Sequence, residues 1–256
     1  MKQVTATIIE SIEVMPGVHL VRLEAPYIAS AAQPGQFFMV RCGEEFLLRR
    51  PLSVHQVTDN GKLALLFNVV GKGTQWLAEC QVGDSIDLLG PMGNGYSIHA
   101  DARSLLLVAG GIGIAPLRFL TDKAIEAEKK VTLLAGAATA AQLYPGKLPP
   151  EVKLVVATED GTAGQKGMIT DFLPDFIDRA DQLFVCGPVD MYRVIASRKP
   201  QLLNGKSVQV SLEVRMGCGL GICYGCTVKT KQGLKQVCRD GPVFELDDIL
   251  WDELNW

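Results

Sequence analysis

Leu105-Leu106-Leu107-Val108-Ala109-Gly110-Gly111-Ile112-Gly113-Ile114-Ala115-Pro116 decides the reading of the fold: an unbroken apolar run, a glycine-rich turn, and residues that open a helix. A strand apolar on both faces belongs in a sheet covered on both sides. Glycines at its end let the backbone approach either a neighbouring element or a bound phosphate at the helix N-terminus. Alone the run is a weak sign of nucleotide binding, because the G-x-G-x-x-G spacing is not met and such turns also serve close strand-to-helix packing. The expected helix runs from Ile114 to Lys130, with Leu117, Leu120, Ala124 and Ala127 on one face and Glu126, Glu128 and Lys129 outside.

Outward from this stretch the same pattern recurs. Val131-Ala135, Leu154-Ala157 and Leu183-Val185 are apolar strands followed by glycine-containing turns and helical stretches, which predicts a doubly wound α/β domain over about residues 100–206. Cys186-Gly187-Pro188-Val189-Asp190-Met191 is a second turn opening a helix, with Pro188 placed for its first position. Two such turns in one sheet predict one shared site, and Thr158-Glu159-Asp160-Gly161 ends a third strand at the same edge. After the second strand, Ala137-Ala138-Thr139-Ala140-Ala141-Gln142 offers no Arg or Lys for a 2′-phosphate, which favours NAD over NADP.

Residues 1–99 read differently. Short alternating strands are separated by Pro16-Gly17, Pro34-Gly35, Asp59-Asn60-Gly61, Gly83-Asp84 and Gly90-Pro91, the spacing of a small antiparallel β-barrel. Leu63, Leu65 and Phe67 alternate after the Asn60-Gly61 hairpin signal, and a short helix is expected near Thr74 to Glu79. Two features there suit an anionic ligand. Arg49-Arg50-Pro51-Leu52-Ser53 sets two fixed cations beside a rigid extended step and a hydroxyl. Asn68-Val69-Val70-Gly71-Lys72-Gly73-Thr74 ends a strand in a glycine turn that starts a helix. Each also has a plainer reading, as a solvated arginine pair and a hairpin exit.

From residue 207 a strand, Val208-Leu212, leads to Met216-Gly217-Cys218-Gly219-Leu220-Gly221-Ile222-Cys223-Tyr224-Gly225-Cys226, with Cys238 following a hairpin of Thr227-Lys231 and Leu234-Val237. The C-x4-C-x2-C…C spacing is that of two-iron, two-sulfur (2Fe-2S) clusters held by four thiolates, here Cys218, Cys223, Cys226 and Cys238. The alternative is structural zinc, but its usual two C-x2-C knuckles reduce here to one, Cys223 and Cys226. Gly217, Gly219, Gly221 and Gly225 supply the left-handed positions and exposed amides that a loop around a bulky inorganic core needs. The seven cysteines are an odd count crowded toward the end of the chain, which suits redox or metal work better than a disulfide frame and makes the cytoplasm the expected compartment. Cys42 and Cys80 read as buried filler.

Composition excludes other classes. A formal net charge of −3 offers no basic surface for nucleic acid. The most apolar run, Ser104 to Leu117, is interrupted by glycines and a proline and falls short of the roughly 20 residues of a membrane span. None of His19, His55 and His99 neighbours a cysteine or carboxylate motif that suggests nucleophilic or general-base work. They read as surface or strand residues.

Taken in order, Arg50-Pro51-Leu52-Ser53, Gly110 to Pro116, and Cys186-Gly187-Pro188 resemble the ferredoxin-NADP reductase superfamily. With the appended cysteines, the whole chain is similar to the electron-transfer subunits of type B dihydroorotate dehydrogenases. The resemblance implies an α+β multidomain chain of FAD-binding barrel (1–99), NAD-binding domain (100–206) and 2Fe-2S domain (207–256). It implies that Arg50 holds the FAD pyrophosphate, Ser53 bonds the flavin ring, and Gly73 and Thr74 contact phosphate. Pro51, Leu52, Phe67, Asn68 and Val69 complete the candidate flavin set. Gly110, Gly111, Gly113 and Pro116 would bound the nicotinamide pocket with Cys186, Gly187 and Pro188. Two departures stand out: Leu52 replaces a tyrosine common in the superfamily, and the cysteine segment replaces a terminal aromatic.

The implied function is electron transfer in pyrimidine biosynthesis, between NAD and a partner subunit that carries FMN and oxidises dihydroorotate, as a heterotetramer with two copies of each chain. A nicotinamide exchanges two electrons at once and a cluster one at a time, so a flavin belongs between them. Rival partners are a sulfide dehydrogenase and a ferredoxin:NADP+ transhydrogenase; a zinc-bearing binding module is the rival from outside redox chemistry. The acidic tail from Phe244 to Trp256 would dock the partner or cap the chain's own cysteine segment.

Overall fold

Alternation of apolar and polar residues closes the first ninety residues into a barrel. A computed structural model of the chain describes residues 1–58, 60–203 and 205–254. Asp59 of the expected hairpin turn and Trp256 of the tail lie outside these described residues. The barrel strands are β1 (Lys2–Met15), β2 (Val18–Glu24), β3 (Phe37–Val40), β4 (Arg50–Val57), β5 (Lys62–Asn68) and β6 (Ser85–Met92), with short helices α1 (Pro26–Ala29) and α2 (Lys72–Glu79). They pair in the order β1-β2-β5-β4-β3-β6 and close on themselves, so the barrel has no free edge. Ile8, Val21, Leu23, Phe38, Leu65 and Leu88 fill it, joined by Phe119 from outside the barrel. Cys42 and Cys80 belong to this core too, and burial pushes both thiols up to about 11, as inert filler requires.

The second layer contains β7 (Ser104–Gly110), α3 (Ile114–Glu126), β8 (Lys130–Ala137), β9 (Lys153–Thr158), β10 (Gln165–Lys166), α4 (Pro174–Ile177), β11 (Gln182–Cys186), α5 (Val189–Leu202) and β12 (Val208–Ser211). The helix α3 ends before the expected Lys130, because Glu128 adopts a left-handed φ of 56° and turns the chain into β8. After β12 follow β13 (Thr227–Thr230), β14 (Gly233–Gln236), α6 (Val237–Asp240) and β15 (Val243–Glu245). The sheet order is β10-β9-β8-β7-β11-β12-β15, parallel except for β15. Strand order reverses between β7 and β11, so Gly110 and Cys186 flank the switch point where such sheets bind ligands.

The boundary expected at residue 206 precedes β12, the last parallel strand, and β15 from beyond the cysteines pairs with that strand. One hydrophobic cluster joins Phe37 and Met39 of the barrel, Val208 and Val210 of the sheet, and Cys226 and Cys238. Trp251 of the tail is turned inward: its indole N–H donates to the Leu246 carbonyl at 2.9 Å and its ring lies 5.3 Å from that of Tyr192 in α5. No helix of the described residues is long and apolar enough to cross a membrane.

Candidate functional site

At the barrel rim two separately read features meet. A Cβ on Gly73 would stand 2.5 Å from Arg50 Nε and 2.8 Å from its Cζ, so glycine makes room for the guanidinium over the start of α2. Arg50 also lies 5.6 Å from the Phe46 ring centroid and donates to the Leu48 carbonyl. Arg49 does not join it. Its guanidinium instead grips Asp87 of β6 through both nitrogens, at 3.0 and 2.8 Å, and also reaches the carbonyls of Met39 and Asp87. Burial acts to raise the Asp87 carboxyl, but Arg49 outweighs it and holds the group below the usual carboxylate range. The expected cation pair is thus one structural arginine and one at the rim.

Thr74 shapes its turn from within. Its hydroxyl accepts the N–H groups of Val70 and Gly71 at 3.0 and 3.2 Å and donates to the Gly71 carbonyl. Ser53 is half-buried, whereas Leu52 and Phe67 face the barrel core, Phe67 only 2% exposed. Asn68 and Val69 are half-buried at the strand exit.

The two glycine turns of the sheet are pressed together. A Cβ on Gly113 would fall 1.9 Å from the Cys186 carbonyl oxygen, and one on Gly110 would meet Pro188 Cδ at 2.9 Å. Tyr192 locks the second turn: its hydroxyl accepts the Gly187 N–H at 2.9 Å and donates to the Ser211 carbonyl at 2.6 Å. Gly111 is exposed at the lip, with φ of 54°, while Pro116 is buried in the first turn of α3. The Cys186 thiol points away from the lip into the core and is pushed far up by burial.

Two features here had no sequence signal. Glu213, just past β12, acts electrostatically on Cys186, Tyr96 and Tyr192. Glu213 is exposed by surface area, while the protein packed around its carboxyl raises it above the usual range. His55, two residues after Ser53, is fully buried and not at the surface. Its Nδ1 lies 3.0 Å from the Ala115 carbonyl and its Nε2 2.9 Å from the Tyr144 hydroxyl, so the strand with Ser53 is tied to the start of α3.

The four clustered cysteines lie on one loop and the helix α6. Cys218 lies within reach of Cys223, and Cys238 within reach of Cys226. Four thiolates so placed fit two irons with two thiolates each. Amides point at the sulfurs: Leu220 N–H to Cys218 at 3.3 Å, Gly221 N–H to Cys238 at 3.2 Å, and Cys238 N–H to Cys226 at 3.4 Å. Burial acts to raise Cys218, but the amides of Cys223, Leu220 and Ile222 outweigh it and bring the thiol down to about 6. Burial, with the neighbouring Cys226, pushes Cys238 up to about 12. Cys223 is exposed while Cys226 and Cys238 are buried, so the site opens on one side only.

Comparison with known proteins matches each part. Residues 5–96 match an oxidoreductase FAD-binding domain and residues 107–197 an oxidoreductase NAD-binding domain. Residues 213–250 match the iron-sulfur cluster binding domain of dihydroorotate dehydrogenase B. The dihydroorotate dehydrogenase B (NAD(+)) electron transfer subunit of Desulforamulus reducens is 39% identical, over 93% of this chain and 95% of that protein. The chain belongs to the family of dihydroorotate dehydrogenase B electron-transfer subunits. The family member from Shouchella clausii is 34% identical over 97% of this chain and 98% of its own. A solved chain of the NADH-dependent reduced ferredoxin-NADP oxidoreductase, studied for flavin-based electron bifurcation, superposes with a TM-score of 0.88. It is 31% identical, over 97% of this chain and 91% of its own. Family membership accounts for the three binding domains for FAD, NAD and an iron-sulfur cluster; the Arg50–Gly73 cradle suits an anionic group and the paired thiols suit the cluster, while the Gly113–Cys186 contact is close packing of the two turns at the switch point.

Proposed function

We propose that this chain passes electrons between NAD and a dihydroorotate-oxidising, FMN-bearing partner subunit, in pyrimidine biosynthesis, in a heterotetramer with two copies of each chain. The carrying observation is a chain that joins the paired thiols to a nicotinamide-type switch point through one pair of barrel strands, β3 and β4. In this reading residues 1–99 hold FAD, 100–206 hold NAD and 207–256 hold the cluster. Arg50 and the turn at Gly73 and Thr74 hold the FAD pyrophosphate, and Pro51, Leu52, Ser53, Phe67, Asn68 and Val69 line the ring, Phe67 through its backbone. Gly110, Gly111, Gly113 and Pro116, with Cys186, Gly187 and Pro188, hold the nicotinamide side. Cys218, Cys223, Cys226 and Cys238 bind the iron. The bound flavin supplies the exchange between two-electron and one-electron chemistry, and the protein's own residues bind, orient and exclude water.

The partner is expected on the exposed side of the thiols. Ile222 and Tyr224 beside Cys223 are 71% and 69% exposed, an apolar rim of the kind that protein contacts cover. Mixing the purified chain with an FMN subunit that oxidises dihydroorotate tests this: dihydroorotate-dependent reduction of NAD+ is expected, and its absence rejects this partner. A second reading is favoured by the similarity to the NADH-dependent reduced ferredoxin-NADP oxidoreductase chain. Ferredoxin-dependent turnover without dihydroorotate-dependent turnover would select it.

A further inference from the structure

We propose that Met39 and Asn94 of the barrel are positioning residues that set the thiol site against the flavin strand. The redox content rests on the function proposed above; the geometry does not. Gly219, beside the first cysteine, has a φ of 71°, and a Cβ there would stand 2.7 Å from Met39 Cγ and 3.0 Å from its Sδ. The side chain of Met39 is fully buried and its strand, β3, pairs directly with β4: Met39 faces Pro51 and Phe37 faces Ser53. A single thioether on the strand next to Arg50–Ser53 therefore packs against the loop of Cys218.

The other end of the ligand set is held by hydrogen bonds. The Asn94 N–H donates to the Gly241 carbonyl at 2.6 Å, and its amide Nδ2 donates to the Asp240 carbonyl at 3.0 Å. Both acceptors lie within three residues of Cys238. Gly93, with φ of 74°, permits this approach, since a Cβ there would lie 2.5 Å from the Gly241 oxygen. The first and last cysteines are thus each fixed to the barrel, one by packing and one by hydrogen bonds.

Electron exchange falls steeply with distance, so this seam controls one step only. In the direction of the test, the reverse of dihydroorotate oxidation, one NADH gives NAD+, a proton to solvent and two electrons, which would cross the Met39 seam one at a time to the cluster and then to an added one-electron acceptor. The nicotinamide-side turns at Gly110 and Cys186 pack on each other, so NADH binding and flavin reduction are expected to be independent of Met39.

The test compares Met39→Leu, Met39→Ala, Gly219→Ala and Asn94→Ala in the cofactor-loaded chain. Rapid mixing with NADH separates flavin bleaching from cluster reduction, and iron release to a chelator and the visible circular dichroism of the cluster are read independently of turnover. For Met39→Ala and Gly219→Ala, flavin bleaching and the KM for NADH should stay at wild-type values. Cluster reduction should slow, by up to the roughly 100-fold that a 1 Å misplacement can cost, with an altered dichroism spectrum. Met39→Leu, which keeps the volume, should restore both. Asn94→Ala should release iron faster. Wild-type cluster reduction, dichroism and iron release in Met39→Ala and Asn94→Ala would overturn the proposal. If Gly219→Ala does not fold, Met39→Ala, which adds no atoms, decides. If NADH fails to bleach the flavin even in the wild type, the functional reading fails, while dichroism and iron release still decide the positioning.

Discussion

His55 offers a quantitative check on how the barrel and the nucleotide layer are joined. The Ala115 carbonyl can only accept a hydrogen bond, so Nδ1 carries the proton and Nε2 of the neutral ring accepts from the Tyr144 hydroxyl. Burial, aided by repulsion from Arg118 and Arg22 and opposed by the bond to Ala115, drops the imidazole from 6.5 to about 3. The folded state therefore binds fewer protons than the unfolded one between these values. Stability is lost as pH falls below 6.5, at about 1.4 kcal/mol per pH unit. Between pH 7 and pH 5 the loss is about 2 kcal/mol. The His55→Asn variant keeps a donor for Ala115, has no titrating group, and leaves the Tyr144 hydroxyl without its acceptor, costing about 1–3 kcal/mol at pH 7. Urea unfolding of both proteins in the same cofactor state, at pH 7 and pH 5, should show the wild-type advantage shrinking by about 2 kcal/mol. An advantage equal at the two pH values refutes the reasoning, as does a His55 ring resonance that titrates near pH 6.5.

Two further outcomes follow from the site geometry. Arg50→Ala should weaken FAD binding about 10–100-fold, the worth of one charge-assisted hydrogen bond, whereas Arg49→Ala should leave FAD affinity unchanged and lower the urea midpoint, because Arg49 is spent on Asp87; equilibrium flavin titration separates them. Tyr192→Phe leaves the Gly187 N–H and the Ser211 carbonyl unpaired, so it should cost about 1–3 kcal/mol in urea unfolding and raise the KM for NADH, with the iron and sulfide content unchanged.

The local patterns of the sequence carried the fold because barrel and sheet both rest on them. Alternation through Leu63, Leu65 and Phe67 placed those residues in the barrel, and the apolar run before Gly110 placed β7 at the centre of the sheet. The iron-sulfur domain was legible for the same reason: its cysteine spacing lies on one short segment, within the matched residues 213–250. Contacts between distant segments were not legible. Nothing near Arg49 announces that Asp87 claims it, and the neighbours of His55 say nothing of Ala115 or Tyr144. Phe67 shows the limit within one residue, since alternation that predicts a strand near the flavin also turns its ring into the core. The end of α3 depended on one left-handed residue, Glu128, which no periodicity reveals.

These long-range contacts change what the barrel is for. One strand, β4, carries Arg50 and Ser53, reaches the start of α3 in the nucleotide layer through His55, and pairs with β3, whose Met39 abuts the cysteine loop. The three binding regions therefore share one pair of strands, fixed by buried contacts on both sides. A closed barrel suits that role, because its register cannot slip without moving every inward side chain to the other face. The nucleotide sheet adds a second constraint, since β15, the strand that follows Cys238, hydrogen-bonds its edge. Shifting the cysteine loop alone thus requires breaking contacts with both layers, so the fold itself sets the distance between that loop and β4.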